Sequence, residues 1–232
     1  MTVLSAAQSA MVRMVGRKPT TIFGSQDQME VEIADLATDV AVDIMKSHDW
    51  RALTKFETLV SDGVTAAFPL PTDFDRMVMA QNVHDGLNWM WGYTAVDDID
   101  EWIRITTSGF IGLTPGWWII LDGQFQFSPA PTINGEAKFP YISNNIGRSA
   151  TDVAISSFTK DDDSFVLEDR LLTLGLIWRW KAQKGLEYAE DMASYEEALS
   201  QNSARDKGAR VLRENRRFGP FSASYAYPWP LG

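Results

Sequence analysis

Apolar residues recur three or four positions apart in the first fifty residues, which is the period of an amphipathic helix. The first stripe contains Leu4, Ala7, Met11, Met14 and Val15. It predicts a short helix that ends at Gly16, a residue type common in the left-handed position after a helix. The second stripe contains Met29, Ile33, Leu36, Val40 and Ile44. It predicts a longer helix, which begins at a capping box formed by Ser25 and Gln28 and ends near Trp50.

The period of the apolar residues changes to two after Trp50, as expected for β-strands. Alternation over residues 56–60, followed by the turn dipeptide Asp62-Gly63 and residues 64–70, predicts a β-hairpin. Further short strands are predicted at residues 77–83, 89–93, 117–121, 124–127 and 137–143. The dipeptides Pro115-Gly116 and Asp122-Gly123 mark turns between them, and residues 96–105 predict a helical turn. Strands at this spacing favour a small antiparallel sandwich or barrel.

Helical spacing returns in the last third of the chain. Residues 167–181 are apolar in nearly every direction around a helix, which predicts a central, buried helix. Gly185 interrupts the pattern, and a cleaner stripe then predicts a last helix that ends near Gly208. This stripe contains Tyr188, Met192, Tyr195 and Leu199.

These elements predict an α+β fold. Residues 1–50 and 151–208 supply the helices of one helical bundle, and residues 51–150 form an antiparallel β-sandwich or β-barrel module inserted between them. Residues 209–232 form an extended C-terminal tail, because their prolines and glycines oppose a continued helix.

The composition is that of a folded protein, with 45% hydrophobic and 22% charged residues. The chain has no cysteine, which removes disulfides and thiolate chemistry and suits a reducing compartment such as the cytoplasm. Its first residues lack the pattern of a secretory signal, and its apolar runs are too short to predict a membrane span. The net charge of −10 argues against a broad surface for nucleic acid.

Positive charge is concentrated near the C-terminus. Between Arg205 and Arg217 six Arg and Lys residues stand against two acidic residues, a local charge of +4, so the rest of the chain carries −14. Arginine and aromatic residues dominate interface energetics, so we expect this segment to dock on a partner protein rather than on nucleic acid. The predicted contact residues are Arg205, Lys207, Arg210, Arg213, Arg216, Arg217, Phe218, Phe221, Tyr225, Tyr227 and Trp229.

Candidate catalytic chemistry is sparse, and we predict no catalytic, cofactor or metal site and no enzyme activity. The two histidines, His48 at a helix end and His84 in a turn, are interpreted as solvated or capping residues. Acidic residues cluster at residues 97–101 and 161–163. Such clusters are typical of solvated loops or helix starts, although a calcium site or a glycosidase pair is an alternative reading of them.

The nine tryptophans support one further alternative, a carbohydrate-binding β module carried on a helical scaffold in a host-recognition structure. Exposed aromatic faces would stack on sugar rings. The candidates are Trp89, Trp91, Tyr93, Trp117 and Trp118. Packing in a core or a subunit contact is the interpretation that we favour, because aromatic rings bury large areas.

Several short motifs follow one another along the chain. They are Asp49-Trp50-Arg51-Ala52-Leu53, Leu70-Pro71-Thr72-Asp73-Phe74-Asp75-Arg76, Tyr141-Ile142-Ser143-Asn144, Gly175-Leu176-Ile177-Trp178-Arg179-Trp180-Lys181, Gly185-Leu186-Glu187-Tyr188 and Tyr195-Glu196. None carries chemistry alone, but together they span most of the chain. In their order and spacing the chain resembles podovirus-type head-to-tail adaptors.

The resemblance implies a structural protein of the phage virion, made in the host cytoplasm and located in the neck. It implies self-association into a ring of about twelve copies, a dodecamer, beneath the portal protein. The C-terminal tail would reach the portal, and the β module would face neighbouring copies or the tail nozzle. DNA would pass through the channel only as cargo, since an acidic wall discourages phosphate binding.

Overall fold

A computed structural model of the chain describes residues 2–78, 83–85, 92–107 and 116–207. Its helices are α1 (Val3–Val15), α2 (Gln28–Ser47), α3 (Ile99–Thr107), α4 (Asp169–Gln183) and α5 (Ala189–Lys207), with a 3-10 turn at Arg51–Leu53. Its strands are β1 (Thr54–Val60), β2 (Ala67–Pro69), β3 (Phe74–Met77), β4 (His84–Asp85), β5 (Thr94–Ala95), β6 (Trp117–Leu121), β7 (Gln124–Ser128), β8 (Glu136–Ser143), β9 (Gly147–Arg148), β10 (Ala154–Ile155) and β11 (Ser164–Phe165). The predicted mixture of helices and strands is confirmed.

The two N-terminal helices lie where their apolar stripes predict them. Gly16 ends α1 with φ of +72°, and its N–H donates to the carbonyl of Val12 at 3.0 Å. The capping box predicted at the start of α2 is wrong. Asp27 is the cap, and its carboxylate accepts the N–H of Met29 at 3.0 Å. Asp27 stands immediately before the first helical residue, where a negative side chain also interacts favourably with the helix dipole.

Helix α4 lies at the centre of the helical core, as its uniform apolar pattern predicts. Its residues Leu171, Leu172 and Leu176 are fully buried, and α1, α2 and α5 all pack against it. Gly175 allows α2 to pack closely against α4. A Cβ atom at this position would lie 2.3 Å from Cγ1 of Val40 on α2 and 3.5 Å from the ring of Tyr195 on α5.

The strands form three sheets. One has the order β1-β8-β3, with β4 also paired to β8; another has the order β2-β7-β6-β5; and a small one has the order β10-β9-β11. The β6–β7 pair is a hairpin closed by Asp122-Gly123, both at positive φ, as the turn signal predicts. No sheet made by the described residues closes on itself, so the sandwich or barrel stays a prediction.

The hairpin predicted across Asp62-Gly63 is wrong. Strand β1 pairs with β8 from Thr54 opposite Ile142 to Val60 opposite Glu136, and β2 pairs with β7 instead. The ladder continues beyond the strand, because the N–H of Ser61 donates to the carbonyl of Gly135 at 2.9 Å. The turn residues therefore carry the chain away from β1 into another sheet.

Two of the hydrophobic cores formed by the described residues meet along β8. Aromatic side chains of the first two sheets share one core, in which Phe125 and Phe139 are fully buried with ring centroids 4.4 Å apart. The helices enclose the other core, which also contains Ile142 and Ile146. Strand β8 thus begins among the aromatic residues of the sheets and ends among the helices.

The close packing at Gly175 gives a first prediction. Gly175→Ala places a methyl group against Val40, and we expect this overpacking to lower the free energy of unfolding by about 1–3 kcal/mol. Urea denaturation monitored by circular dichroism measures the change. In a Val40→Ala background the same substitution should cost clearly less, because the opposing methyl groups are gone. An equal cost in both backgrounds would contradict the helix contact as its cause.

Candidate functional site

The predicted partner-docking residues divide into two groups. Arg205 is exposed on the last turn of α5, and Lys207 is the final residue of that helix. The others, Arg210, Arg213, Arg216, Arg217, Phe218, Phe221, Tyr225, Tyr227 and Trp229, lie outside the described residues. The predicted tail therefore begins at the C-terminal end of α5.

Helix α5 ends against the junction between α2 and β1. The carboxylate of Asp206 accepts the backbone N–H of Arg51 at 3.1 Å, and it lies 3.5 Å from Nε2 of His48. Both contacts bring together residues about 155 positions apart along the chain. The last turn of α5 is thereby held beside the first residues of the β segment.

Arg76 on β3 closes the C-terminal end of α2. Its Nη2 atom donates to the carbonyls of Met45, at 3.2 Å, and His48, at 2.9 Å. The last carbonyls of a helix lack hydrogen-bond partners within the helix and carry partial negative charge. A guanidinium group supplies both the donors and the positive charge. Nε donates to Asp49 at 3.1 Å and Nη1 to Asp75 at 2.7 Å, so all three guanidinium nitrogens are held.

Trp50 fixes the turn that follows α2. Only 4% of the residue is exposed, and its indole N–H donates to the carbonyl of Ile44 at 2.8 Å. The carbonyl of Trp50 in turn accepts the hydroxyl of Thr54, the first residue of β1, at 2.9 Å. One buried side chain thus sets the direction in which the first strand leaves the helix.

Asp73 joins three strands at the same place. Its carboxylate accepts the phenol of Tyr141 at 2.9 Å, the hydroxyl of Ser143 at 2.7 Å, the ammonium of Lys55 at 2.5 Å and the amide of Asn145 at 3.3 Å. Burial raises the pKa of Asp73, but the hydrogen bonds, first of all from Lys55, outweigh burial and leave that pKa below its usual value. Burial and the hydrogen bond to Asp73 raise the pKa of Tyr141, so the phenol remains a donor at neutral pH.

We call this arrangement the joint, and we define it by Asp73, Arg76, Asp206 and the segment 48–51. Three of the motifs noted in the sequence, at residues 49–53, 70–76 and 141–144, meet in it. Sequence reasoning did not single out Asp73, Arg76 or Asp206. The sequence feature that could have identified Asp73 and Arg76 is their position inside a motif, as charged residues beside apolar ones.

The remaining candidate residues have structural roles. His48 caps α2 and its side chain is only 8% exposed, so the solvated interpretation is wrong for it. His84 lies in β4 opposite Lys138 and not in a turn. Asp161 accepts the N–H groups of Ile22 and Phe23, at 3.0 and 3.1 Å, which fixes the loop before α2.

Two further acidic side chains of these clusters, Asp163 and Asp98, also accept backbone N–H groups. Asp163 is 1% exposed and accepts the N–H groups of Thr159 and Lys160 at 2.8 and 2.9 Å. Asp98 accepts the N–H of Asp100 at the start of α3, at 3.1 Å. Within the described parts of the chain, no three His, Asp or Glu side chains gather closely enough to hold a metal ion.

The aromatic candidates for sugar binding lie in the core wherever they are described. Tyr93 is fully buried and Trp118 is 7% exposed, so neither offers a face for stacking. Trp117 is partly buried against α3, and Trp89 and Trp91 lie outside the described residues. None of the helices in the described residues is long and apolar enough to cross a membrane.

Comparison with protein families places these residues in context. A sequence profile described as SU10 adaptor protein matches residues 1–223, which includes every element of the joint. A search of curated proteins gives no match.

The Asp73 contacts give a second prediction. Asp73→Asn retains the shape but removes the charge that Lys55, Ser143 and Tyr141 contact, and we expect a loss of about 1–3 kcal/mol of stability at pH 7. The folded-state pKa is depressed, so this stabilisation is present above the unfolded pKa of about 3.9 and is lost as pH falls through the folded value.

The stability difference between wild type and Asp73→Asn should therefore shrink below about pH 4. Chemical denaturation at several pH values measures it. Asp162→Asn, at an exposed position of the same charge, is the control and should change stability by less than about 0.5 kcal/mol. A difference at Asp73 that stays constant down to pH 3 would rule out the charge as its source.

Proposed function

The chain belongs to the SU10 adaptor protein family of phage adaptor proteins, and from this membership we propose that it is a structural subunit of the virion neck. It forms a head-to-tail adaptor ring, binds the portal protein through its C-terminal tail and offers a platform for the phage tail. Its work is mechanical and involves no reaction.

The joint is the observation that carries this proposal. An adaptor binds two partners at once, and contact regions whose mutual orientation is fixed in advance avoid the entropic cost of ordering them on binding. Arg76 connects a strand to the end of α2, and Asp206 connects the end of α5 to the same junction. The C-terminal end of α5, where the tail begins, and the β sheets are thereby both held at the junction between α2 and β1.

Residues 209–232 are the proposed portal-binding segment. Their arginines provide electrostatic steering and orientation, and their aromatic side chains provide the buried anchors. The segment starts next to Arg205 and Lys207 at the end of α5, so the positive charge begins on the helix itself. A tail attached to a fixed root searches a smaller volume for its partner than a tail attached to a mobile one.

The proposed ring contains about twelve copies, with the helices of residues 1–50 and 151–208 in its body. The β module of residues 51–150 faces neighbouring copies, the tail nozzle or other tail proteins. The body carries −14 without residues 205–217, and this charge favours a channel wall that DNA passes without binding.

Removal of the tail gives a third prediction. A chain ending at Lys207 retains all of α5 and the Asp206 contacts, so its unfolding temperature should change by no more than about 2 °C. Its affinity for the portal protein of the same phage should fall by more than about tenfold, measured by surface plasmon resonance.

Two full-length variants separate the contributions of charge and anchoring. Replacement of Arg210, Arg213, Arg216 and Arg217 by Ala should mainly slow association, whereas replacement of the five tail aromatics by Ala should mainly speed dissociation. Unchanged portal affinity of the truncated chain would refute the role of the tail.

A further inference from the structure

Helix α5 and the turn before it form an acidic surface with exposed apolar residues. Between Leu186 and Asn202 the chain has five acidic residues and no basic one. A groove of about 510 Å³ lies at the start of this surface, lined by Leu186, Glu187, Tyr188, Met192 and Glu196 among others. Leu186 and Tyr188 are 49% and 39% exposed, so the groove offers apolar contact within a negative rim.

The nearest cations do not neutralise this groove. Lys181 is paired with Asp191 at 2.5 Å, and Lys184 is paired with Glu32 at 2.7 Å. Glu187 and Glu196, in contrast, make no ion pair with any residue that the structure describes. We call this surface the acidic groove.

The C-terminal half of α1 has the complementary character. Residues 2–21 contain three basic residues and no acidic one. Val12 and Val15 are 47% and 48% exposed. Arg13 on α1 and Lys18, three residues after the helix ends, are also exposed and make no ion pair with any described residue, although Arg13 borders a groove that Glu168 and Asp169 also line. We call Val12, Arg13, Val15 and Lys18 the basic ridge.

The acidic groove and the basic ridge lie on different sides of α4. Thr173 of α4 lines a second groove together with Ser5 and Ser9 of α1. Gly175, two residues further, faces Tyr195 of α5. Two residues correspond to about 200° around a helix, so α1 and α5 occupy nearly opposite sides of the central helix.

From these two surfaces we infer that a second copy of this chain docks its basic ridge into the acidic groove. Complementary patches on opposite sides of one protomer give a heterologous interface, which closes into a ring when the rotation between copies is suitable. The inference rests on the proposed ring and specifies which surfaces build it. It is independent of the tail and the portal.

The absence of cysteine allows a direct test by cross-linking. Val15→Cys and Leu186→Cys place one thiol on each surface of the full-length chain, and a short bismaleimide should link successive copies into a ladder of dimers, trimers and longer species. Each single variant carries one thiol per chain, so it cannot extend beyond a dimer. The control pair is Val64→Cys with Val153→Cys, at 82% and 59% exposed positions between β1 and β2 and just before β10, outside α1 and α5.

Charge reversal identifies the interaction. Glu187→Arg with Glu196→Arg should abolish the ladder of the double-cysteine chain, and the further change of Arg13→Glu with Lys18→Glu should restore it. The wild-type charge pattern should lose its ladder in 0.5 M salt, since exposed charges are then screened. A ladder as long in the control pair, or no ladder in the test pair, would overturn the inference. Portal binding by the tail is measured separately and is untouched by either result.

Discussion

The guanidinium of Arg76 is the contact on which the arrangement of the chain depends most. Arg76 lies on β3, and its guanidinium donates hydrogen bonds to two backbone carbonyls at the C-terminal end of α2 and to two carboxylates. A flexible lysine could not satisfy these partners together, because its ammonium lacks the planar fork of arginine. The path from the helices into the sheets is therefore fixed by one side chain.

The neighbouring contacts extend this constraint in two directions. Asp73, just before β3, forms hydrogen bonds with residues of β1 and β8. Asp206 links the end of α5 to the segment 48–51. Each bond is partly exposed, so none dominates the stability of the protein alone. Their combined effect is orientation: the site from which the basic tail departs is defined relative to the strands. For an adaptor protein this fixed orientation matters more than the contribution of any single contact to the free energy of unfolding.

Much of the fold could be predicted from the sequence where local patterns decide the structure. Residues 171–177 of α4 are apolar in nearly every direction and are buried, and Gly16 ends α1 because a left-handed residue is needed there. The hairpin across Asp62-Gly63 was wrong because a turn signal does not reveal that β8, some eighty residues later, competes for β1.

The joint itself is built from residues that are distant in sequence. No local pattern predicts that Asp206 accepts a hydrogen bond from Arg51, or that Asp73 accepts hydrogen bonds from residues of two other strands. The motifs that suggested the adaptor family contain most of these residues, but their shared location became visible only in three dimensions. The predicted docking residues after Lys207 remain a prediction from composition.

A distance measurement between spin labels tests the central claim most directly. Labels at Thr58→Cys on β1 and Ser200→Cys on α5 report the orientation of the strands relative to the root of the tail, and labels at Val12→Cys and Ser200→Cys provide a control within the helices. The account predicts a single narrow distance distribution for the first pair, which broadens when Arg76→Met and Asp206→Ala are introduced, while the control pair stays narrow. A first pair that is broad already, or that stays equally narrow without Arg76 and Asp206, would contradict it.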